Sequence, residues 1–293
     1  MTSRSALLWM THAWSPELEA EFLKFFSLDY PGSPDVWLLL DSRTPGAGEI
    51  ARRFPRCHII VESEMFSRLP YPRLDNGRLY EHVHFPILDF FHTHPGYDYY
   101  WVVEFDVRYT GDWGSFLRAF EPCHDDLITS HIRRFHEEPA FWWWYSLDHP
   151  TETIDRARYL RSFNVIYRIS HRALALIHDK QQNGWRGYPE VSLPTFLDTS
   201  GYTLLDIGGN GEFTPPYLKN RFYTSGSAAG LLNPFCTIRW RPSRSRAGIR
   251  RNKLYHPVKP GAMREPLGEK IQFFRKWIGE YIGEKLRRPT VER

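Results

Sequence analysis

The residues Tyr99–Arg108, with the sequence YYWVVEFDVR, decide the fold that this chain predicts. Their aromatic and β-branched run is typical of a buried strand, and it ends in Glu104 and Asp106. Side chains two residues apart on a strand point to the same face, so both carboxylates can bind one hard cation. Ligands of open α/β sheets bind at the carboxyl ends of strands. The segment therefore predicts a metal site for a phosphate-bearing substrate, with a solvated strand end as the alternative.

A β-α-β pattern opens the chain. It comprises a strand at 6–10, a helix from about Ser15 to Phe26 with Ser15 as its N-cap, and a strand at 36–40 that ends on Asp41. An acid at the end of the second strand is typical of a nucleotide-binding half-sheet. This alternation predicts an α/β fold with a mainly parallel central sheet flanked by helices.

The rest of the chain continues this alternation less regularly. We predict strands at 58–61 and 101–105, helices at 113–120 and 171–183, and strands or strand-flanking loops at 126–130 and 142–144. Short segments at 191–197 and 202–207 precede a loop-rich span. The segment from Glu265 to Arg288 has apolar residues at helical spacing and basic residues beside them, which predicts an amphipathic helix. Such a helix can lie on an anionic membrane surface or pack back on the domain.

Composition restricts the class of protein. The chain has 293 residues, 42% hydrophobic and 25% charged, which is typical of a soluble globular protein. A net charge of +4 does not suggest a nucleic-acid partner, although six Arg and one Lys fall between residues 239 and 253 without an acid. Aromatic residues make up 16%, including 11 Trp, which suits core filling or the stacking of sugar rings.

Cysteine usage and hydropathy bear on location. Cys57, Cys123 and Cys236 are far apart and form no C-x-x-C pair, which argues against a zinc knuckle or a disulfide framework. The sequence contains neither a signal-peptide core nor an apolar run of 18 residues. We therefore expect a cytoplasmic protein, peripheral to the inner face of a membrane if the C-terminal helix binds lipid.

Two strings imitate motifs of other classes. Leu205–Gly211, LDIGGNG, looks like the glycine-rich loop of an S-adenosylmethionine-dependent methyltransferase, but Phe213-Thr214-Pro215-Pro216 follows where a helix should begin. His92–Pro95, HTHP, resembles the motif of zinc-dependent isopeptidases, yet Val102 and Phe105 stand where that pattern requires Ser and Asp. Because the glycine-rich string itself matches, a methyltransferase is kept as an alternative, whereas the isopeptidase pattern is not.

The C-terminal string Tyr255–Lys259, YHPVK, completes a third pattern. Together with Glu104-Phe105-Asp106, Gly187–Glu190 and the β-α-β opening, it resembles glycosyltransferases of the GT-A type. The W-V-x-E-x-D-V-R segment is similar to that of uncharacterised GT-A-like proteins, and YHPVK is similar to that of core-2 branching and xylosyltransferase-type enzymes. The resemblance runs from about Ala6 to Lys259. It implies one GT-A-like, Rossmann-like domain, placed here at 1–262, with the helix at 263–293 outside it.

The resemblance also implies roles for particular residues. Those for the metal and the donor are Asp106 as the main metal contact, Glu104 where the usual pattern has Asp, His256 as the C-terminal metal ligand, Asp41 at the nucleobase or ribose, and Lys259 at a phosphate. Glu190 takes the position of the general base. From the charge pattern, Arg250, Arg251 and Lys253 offer cations for the departing diphosphate. Trp185 and Tyr188, near Glu190, are predicted to bind the acceptor and make its pocket partly apolar.

The functional prediction is a glycosyltransferase. It would move a sugar from a nucleoside diphosphate-sugar to a hydroxyl of a glycan or lipid-linked acceptor, with inversion and with help from Mn²⁺ or Mg²⁺. A non-catalytic nucleotide- or carbohydrate-binding module on the same scaffold is the main alternative, because a fold does not determine an activity.

Overall fold

The computed structural model describes residues 3–74, 79–224, 236–239 and 241–287. The strands in this part of the chain are β1 (Ser5–Thr11), β2 (Asp35–Asp41), β3 (Cys57–Ile60), β4 (Tyr99–Glu104), β5 (Arg108–Tyr109), β6 (Leu127–Arg134), β7 (Leu160–Ser170), β8 (Leu204–Asp206) and β9 (Leu254–Tyr255). The α-helices are α1 (Pro16–Phe26), α2 (Ala47–Arg53), α3 (Glu62–Arg68), α4 (Phe85–Thr93), α5 (Trp113–Arg118), α6 (His171–Gln182), α7 (Pro189–Thr199) and α8 (Leu267–Arg287).

Seven strands form one sheet in the order β3-β2-β1-β4-β7-β6-β8. The pairs β1–β2, β1–β4, β2–β3 and β6–β8 are parallel, whereas β7 runs antiparallel to both of its neighbours. Alternate side chains of each strand enter two separate cores, one on each face: Leu8 and Val102 belong to one, Leu7 and Val103 to the other. The predicted α/β fold with a mainly parallel sheet between helices is confirmed.

The opening β-α-β unit follows the local signals closely. Ser15 is extended and its hydroxyl accepts from the amide of Leu18, while Pro16 occupies the first helical position. The acid of Asp41 ends β2 as predicted. Because β1, β2 and β4 are parallel, their carboxyl ends meet at one edge of the sheet.

One segment differs from the prediction. The tryptophan run lies in a 3₁₀ helix, Trp142–Ser146, whereas the segment at 191–197, for which no type was predicted, belongs to α7. Strand β7 escaped prediction because five of its eleven residues are polar: Arg161, Ser162, Asn164, Arg168 and Ser170. All of them are buried, and contacts such as that of Arg168 with the carbonyls of Phe120 and Cys123 compensate for their desolvation.

A second, two-stranded sheet brings the C-terminal segment to the edge of the large one. Strands β5 and β9 are antiparallel, with Arg108 opposite Tyr255. The amide of Val258 then donates to the carbonyl of Asp106 at 2.8 Å. Residues 254–259 are therefore held beside the turn that follows β4.

Candidate metal and catalytic site

Three metal-ligating side chains meet where β4 ends. One ligand atom from each of Glu104, Asp106 and His256 lies within 4.8 Å of the other two. Glu104 is the last residue of β4, and Asp106 lies in the turn after it rather than on the strand. The strand periodicity that suggested this pair therefore applies to Glu104 alone, yet the turn still aims both carboxylates at one point.

The imidazole of His256 is oriented for ligation. Its Nδ1 lies 2.8 Å from the carbonyl of Arg239, and since a carbonyl only accepts, Nδ1 carries the proton. Nε2 then faces Asp106 Oδ1 at 3.3 Å and Glu104 Oε2 at 3.7 Å. A backbone carbonyl that fixes the tautomer is a usual support of a metal-bound histidine.

Asp106 has an oxygen that is poorly satisfied by the protein. Its Oδ1 is buried and forms no well-aligned hydrogen bond within the described ranges, and its near polar neighbour is Nε2 of His256 at 3.3 Å. Two carboxylates and one imidazole suit Mn²⁺ or Mg²⁺, with the remaining positions left for other oxygens. The donor set therefore fits the divalent cation that the sequence predicted.

The two carboxylates of the candidate site repel each other. Burial, with the charges of Asp106 and Glu190, raises the pKa of Glu104 to about 7. Burial opposes ionisation of Asp106 too, but His256 and Lys259 hold the pKa of Asp106 below its usual value. Burial lowers the pKa of His256, while its carboxylate neighbours raise it by more. A bound cation would relieve the repulsion between the two acids.

The residues at the ends of β1 and β2 interact with Asp106 and its neighbours. His12, directly after β1, packs its ring edge against Phe105, with centroids 4.8 Å apart. Partial desolvation and the ammonium of Lys259 lower the pKa of His12, whereas Asp106 and Asp41 oppose that shift. Asp41 is buried and both of its oxygens accept from the guanidinium of Arg43. The predicted donor residue Asp41 therefore acts here by holding Arg43.

Glu190 lies in the first turn of α7, and its side chain is 14% exposed. Its Oε2 is 3.5 Å from Nη2 of Arg161, a buried guanidinium that also lies 3.2 Å from Glu138. Burial raises the pKa of Glu190 to about 7, although Arg161 and His256 oppose this shift. A carboxylate of that pKa is suited to accept a proton near neutral pH.

The two predicted acceptor residues separate in the structure. Tyr188 is the N-cap of α7, next to Glu190, and its ring stacks on Trp143 with centroids 4.2 Å apart. Trp185 is only 2% exposed, packs against Phe196 and donates its indole N–H to Glu152. Tyr188 therefore belongs to the candidate site, and Trp185 belongs to the core.

The predicted diphosphate cations lie elsewhere. Thr110 donates to the carbonyls of Arg250 and Lys253, which places this loop at the end of the small sheet that lies away from Asp106. The ammonium of Lys253 donates to two carbonyls of the neighbouring loop. Lys259, in contrast, has its Nζ 3.5 Å from Asp106. The geometry therefore favours Lys259 as the cation next to a bound phosphate.

The glycine-rich loop after β8 has a structural role. Asp206 accepts from the amides of Gly208 and Gly209 and from the hydroxyl of Tyr223. The next helical element is a 3₁₀ turn at Pro216–Leu218. Since the loop's amides already bind its own carboxylate, they do not form the cofactor-binding helix start that a methyltransferase requires.

The histidines of the isopeptidase-like string also lie away from this site. His92 Nε2 contacts His178 Nδ1 at 3.1 Å beside a cavity of about 310 Å³. His94 stacks on Phe90. Among the described residues, neither belongs to a group of three metal-ligating side chains.

Helix α8 extends from the domain. Ile271, Phe274 and Ile278 are each more than 40% exposed, and the preceding Glu265 accepts from Ser243. The amphipathic pattern also depends on residues whose side chains the structure does not describe: Trp277, Tyr281, Ile282, Lys285, Leu286 and Arg287. Arg288 lies outside the described residues. No helix in the described ranges combines the length and the apolar character needed to cross a bilayer. The membrane contact, the cytoplasmic location and the boundary after residue 262 stay predictions.

Comparison with known proteins gives three findings. Residues 48–125, which include Glu104 and Asp106, match the family described as "Protein of unknown function (DUF3405)". None of the curated proteins matches the chain.

Solved structures supply the third finding. The chain is similar to a mannosyltransferase from Pyrobaculum calidifontis in complex with GDP-Man and Mn²⁺, with a TM-score of 0.40, 12% identity, and coverage of 75% of this chain and 56% of that one. It is also similar to mouse xyloside xylosyltransferase 1 in its apo form, with a TM-score of 0.40, 11% identity, and coverage of 71% and 88%. The chain thus spans little more than half of the mannosyltransferase.

Some residues of the site escaped the sequence analysis. Arg161 and Glu138 approach Glu190 from β7 and from the 3₁₀ turn after β6, and neither belongs to a recognisable motif. His12 carried a signal, because it follows β1 directly, as Asp41 ends β2. Polar residues at the ends of adjacent parallel strands meet at one edge of the sheet.

Proposed function

We propose that the protein is a glycosyltransferase that moves a sugar from a nucleoside diphosphate-sugar to an acceptor hydroxyl with inversion at the anomeric carbon. The observation that carries this proposal is the convergence of Glu104, Asp106 and His256, with Glu190 beside them, at the carboxyl edge of a mainly parallel sheet. Such an edge is where α/β folds bind nucleotides.

The donor side is built around the three ligands. Glu104, Asp106 and His256 would hold Mn²⁺ or Mg²⁺, which supplies positive charge to the diphosphate leaving group. Lys259 adds a second positive charge on the other oxygen of Asp106. Charge that develops on the departing diphosphate is therefore met by fixed cationic groups. His12 and the Asp41–Arg43 pair form the adjoining edge, on which the nucleoside would lie.

Glu190 acts as the base. The acceptor oxygen forms its bond to the anomeric carbon while the bond from that carbon to the diphosphate oxygen breaks, and the nucleoside diphosphate leaves with the electron pair. The hydroxyl proton passes to the carboxylate of Glu190. Arg161, 3.5 Å away, orients that carboxylate without neutralising it by a close hydrogen bond. Attack opposite the leaving group inverts the anomeric centre.

Calorimetric titration with nucleoside diphosphates, with and without Mn²⁺, tests the proposal, followed by transfer assays with the corresponding nucleotide-sugars. We expect one nucleotide to bind in a Mn²⁺-dependent manner and its sugar derivative to be turned over. Binding without turnover of any donor would favour the non-catalytic module. Absence of all nucleotide binding would contradict the glycosyltransferase.

A further inference from the structure

The 3₁₀ helix Trp142–Ser146 exposes aromatic rings beside Glu190. Trp142 is 54% exposed and Tyr145 63%, although burial of such rings is favourable. Trp142 lies against Trp143, with centroids 3.9 Å apart, and Trp143 stacks on Tyr188. These four residues, Trp142, Trp143, Tyr145 and Tyr188, form one aromatic platform.

Two independent contacts fix the platform next to the candidate base. Tyr188 caps the helix whose first turn contains Glu190. On the other side, Phe141 lies 3.5 Å below the guanidinium of Arg161, which in turn contacts Glu190. The segment is therefore anchored to both neighbours of Glu190, and its exposed rings are close to where an acceptor hydroxyl would lie.

Polar groups complete a site of mixed character. Nε and Nη2 of Arg161 are buried, and in the part of the chain that the structure describes they have no hydrogen-bond acceptor. A pyranose ring has a face of C–H groups that packs on an aromatic ring and a rim of hydroxyls that needs hydrogen bonds. The platform offers the first, and the carboxylate of Glu190, whose side chain is 14% exposed, offers an acceptor for the second.

Charge argues against other occupants. Residues 137–155 contain five acids, Glu137, Glu138, Asp148, Glu152 and Asp155, and neither Lys nor Arg. Anionic lipid surfaces and nucleic-acid backbones bind clusters of basic side chains, and this segment contributes none, although Arg161 and Arg186 pair with Glu138 and Asp148. The exposed side chains are flat rings rather than aliphatic groups. A neutral, ring-containing ligand fits this composition.

We propose that the aromatic platform is a subsite for the pyranose rings of a neutral oligosaccharide acceptor. The inference rests on the proposed function, since it names the acceptor class of that same site. It replaces the predicted pair Trp185 and Tyr188 with Tyr188 and the three exposed or stacked rings beside it.

Binding of hexasaccharides to the full chain tests this subsite. The chain is titrated with hexasaccharides of xylose, mannose, glucose and N-acetylglucosamine, and binding is measured by tryptophan fluorescence and by calorimetry. We expect one of these hexasaccharides to bind. The substitutions Trp142→Ala and Tyr145→Ala should each lower its affinity at least tenfold, and Trp142→Phe should lower the affinity less. The matched control is Tyr217→Ala, an equally exposed tyrosine elsewhere, with an affinity within twofold of wild type.

The outcomes separate the two proposals. The titration needs neither donor nor metal, so a chain that binds no nucleotide but binds a hexasaccharide through Trp142 keeps the aromatic platform as a saccharide-binding site and loses the proposed function and with it the acceptor role. Nucleotide binding with no hexasaccharide binding, or with the same saccharide affinity in Trp142→Ala and Tyr145→Ala, overturns the subsite alone. Sedimentation with phosphatidylcholine–phosphatidylglycerol vesicles that depends on Trp142 would also overturn it, in favour of a lipid contact.

Discussion

The amide of Val258 donates to the carbonyl of Asp106 at 2.8 Å, although the two residues are far apart in the sequence. This bond places the imidazole of His256, two residues earlier, against the carboxylates of Glu104 and Asp106. The backbone of the C-terminal segment, rather than a chance approach of side chains, thus determines the geometry of the candidate metal site.

Removing one ligand should abolish cation-dependent nucleotide binding. For Asp106→Asn we expect the Mn²⁺-dependent affinity for the preferred nucleoside diphosphate to fall at least tenfold, because a neutral amide replaces the carboxylate that faces His256. Calorimetry with and without Mn²⁺ measures it. Glu121→Gln, at an exposed acid, serves as the control, and equal Mn²⁺ dependence in both variants would contradict the site.

Glu190→Gln should separate catalysis from donor binding. We expect kcat to fall by about 10²- to 10⁴-fold, because the amide cannot accept the proton, while nucleotide affinity stays within twofold. Since burial raises the pKa of Glu190 to about 7, wild-type kcat should rise with pH up to about 7 and then level off. Asp198→Asn, on the same helix, is the control. Full turnover by Glu190→Gln would exclude this residue as the base.

The lysine beside Asp106 and the exposed basic loop should differ in effect. Lys259→Met removes a positive charge 3.5 Å from Asp106, the proposed metal ligand, so we expect about a tenfold loss of nucleotide affinity. Arg251→Met, at the far end of the small sheet, should change it less than twofold at physiological salt. If Arg251→Met has the larger effect, the basic loop reaches the diphosphate after all.

Much of this site could be predicted because it depends on local signals. The apolar run before Glu104, the acid after β2 and the His-Pro string each carry their information in a few adjacent residues. The small sheet that joins them has only two residues in each strand, too few for a period-2 pattern to be recognised. For the same reason the sequence could not show that Arg250, Arg251 and Lys253 lie at the end of it away from Asp106.

Other errors arose where tertiary contacts outweigh local pattern. Strand β7 buries Arg161 and Arg168 because carbonyls and acids on other elements bind these side chains. The sequence of β7 alone does not indicate which residues those partners are. Trp185 and Trp142 look alike in sequence, yet one fills the core and the other faces solvent. Whether an aromatic residue fills a core or forms a surface depends on packing that composition does not encode.

Substitution in the glycine-rich loop should affect stability rather than cofactor binding. A Cβ at Gly209 would lie 2.4 Å from the hydroxyl of Tyr223 and 2.9 Å from Asp206, so we expect Gly209→Ala to lower the free energy of unfolding by about 1–3 kcal/mol in urea. Gly48→Ala, on α2 with open space around it, should be neutral or stabilising. A rise in wild-type Tm with S-adenosylmethionine would instead restore the methyltransferase alternative.

The ionisation of Asp89 should make the free energy of unfolding depend on pH in the acid range. This buried carboxylate accepts from Arg68 and contacts His58; burial opposes its ionisation, but these partners lower its pKa from 3.8 to about 2. Its stabilisation of about 2 kcal/mol is thus present above about pH 5 and disappears as pH falls through about 2. We expect urea unfolding to show Asp89→Asn less stable by that amount at pH 7, with the gap closing towards pH 2.

Glu64→Gln is the matched control for Asp89→Asn, because Glu64 pairs with the same Arg68 but is 64% exposed. We expect a change of less than about 0.5 kcal/mol at any pH. A gap that persists unchanged at pH 2 would mean that Asp89 stabilises the fold by packing rather than by charge.

The pairing of β5 with β9 also bears on the order in which the parts of the candidate metal site are assembled. The seven-stranded sheet is finished at β8, whereas the imidazole ligand arrives only when residues 254–259 dock on it. Such a segment can open and close as a unit while the sheet stays intact. A cation bound between the two parts would favour the closed form by mass action, so hydrogen exchange at Leu254–Lys259 should slow with Mn²⁺ while exchange in β1 and β4 stays the same.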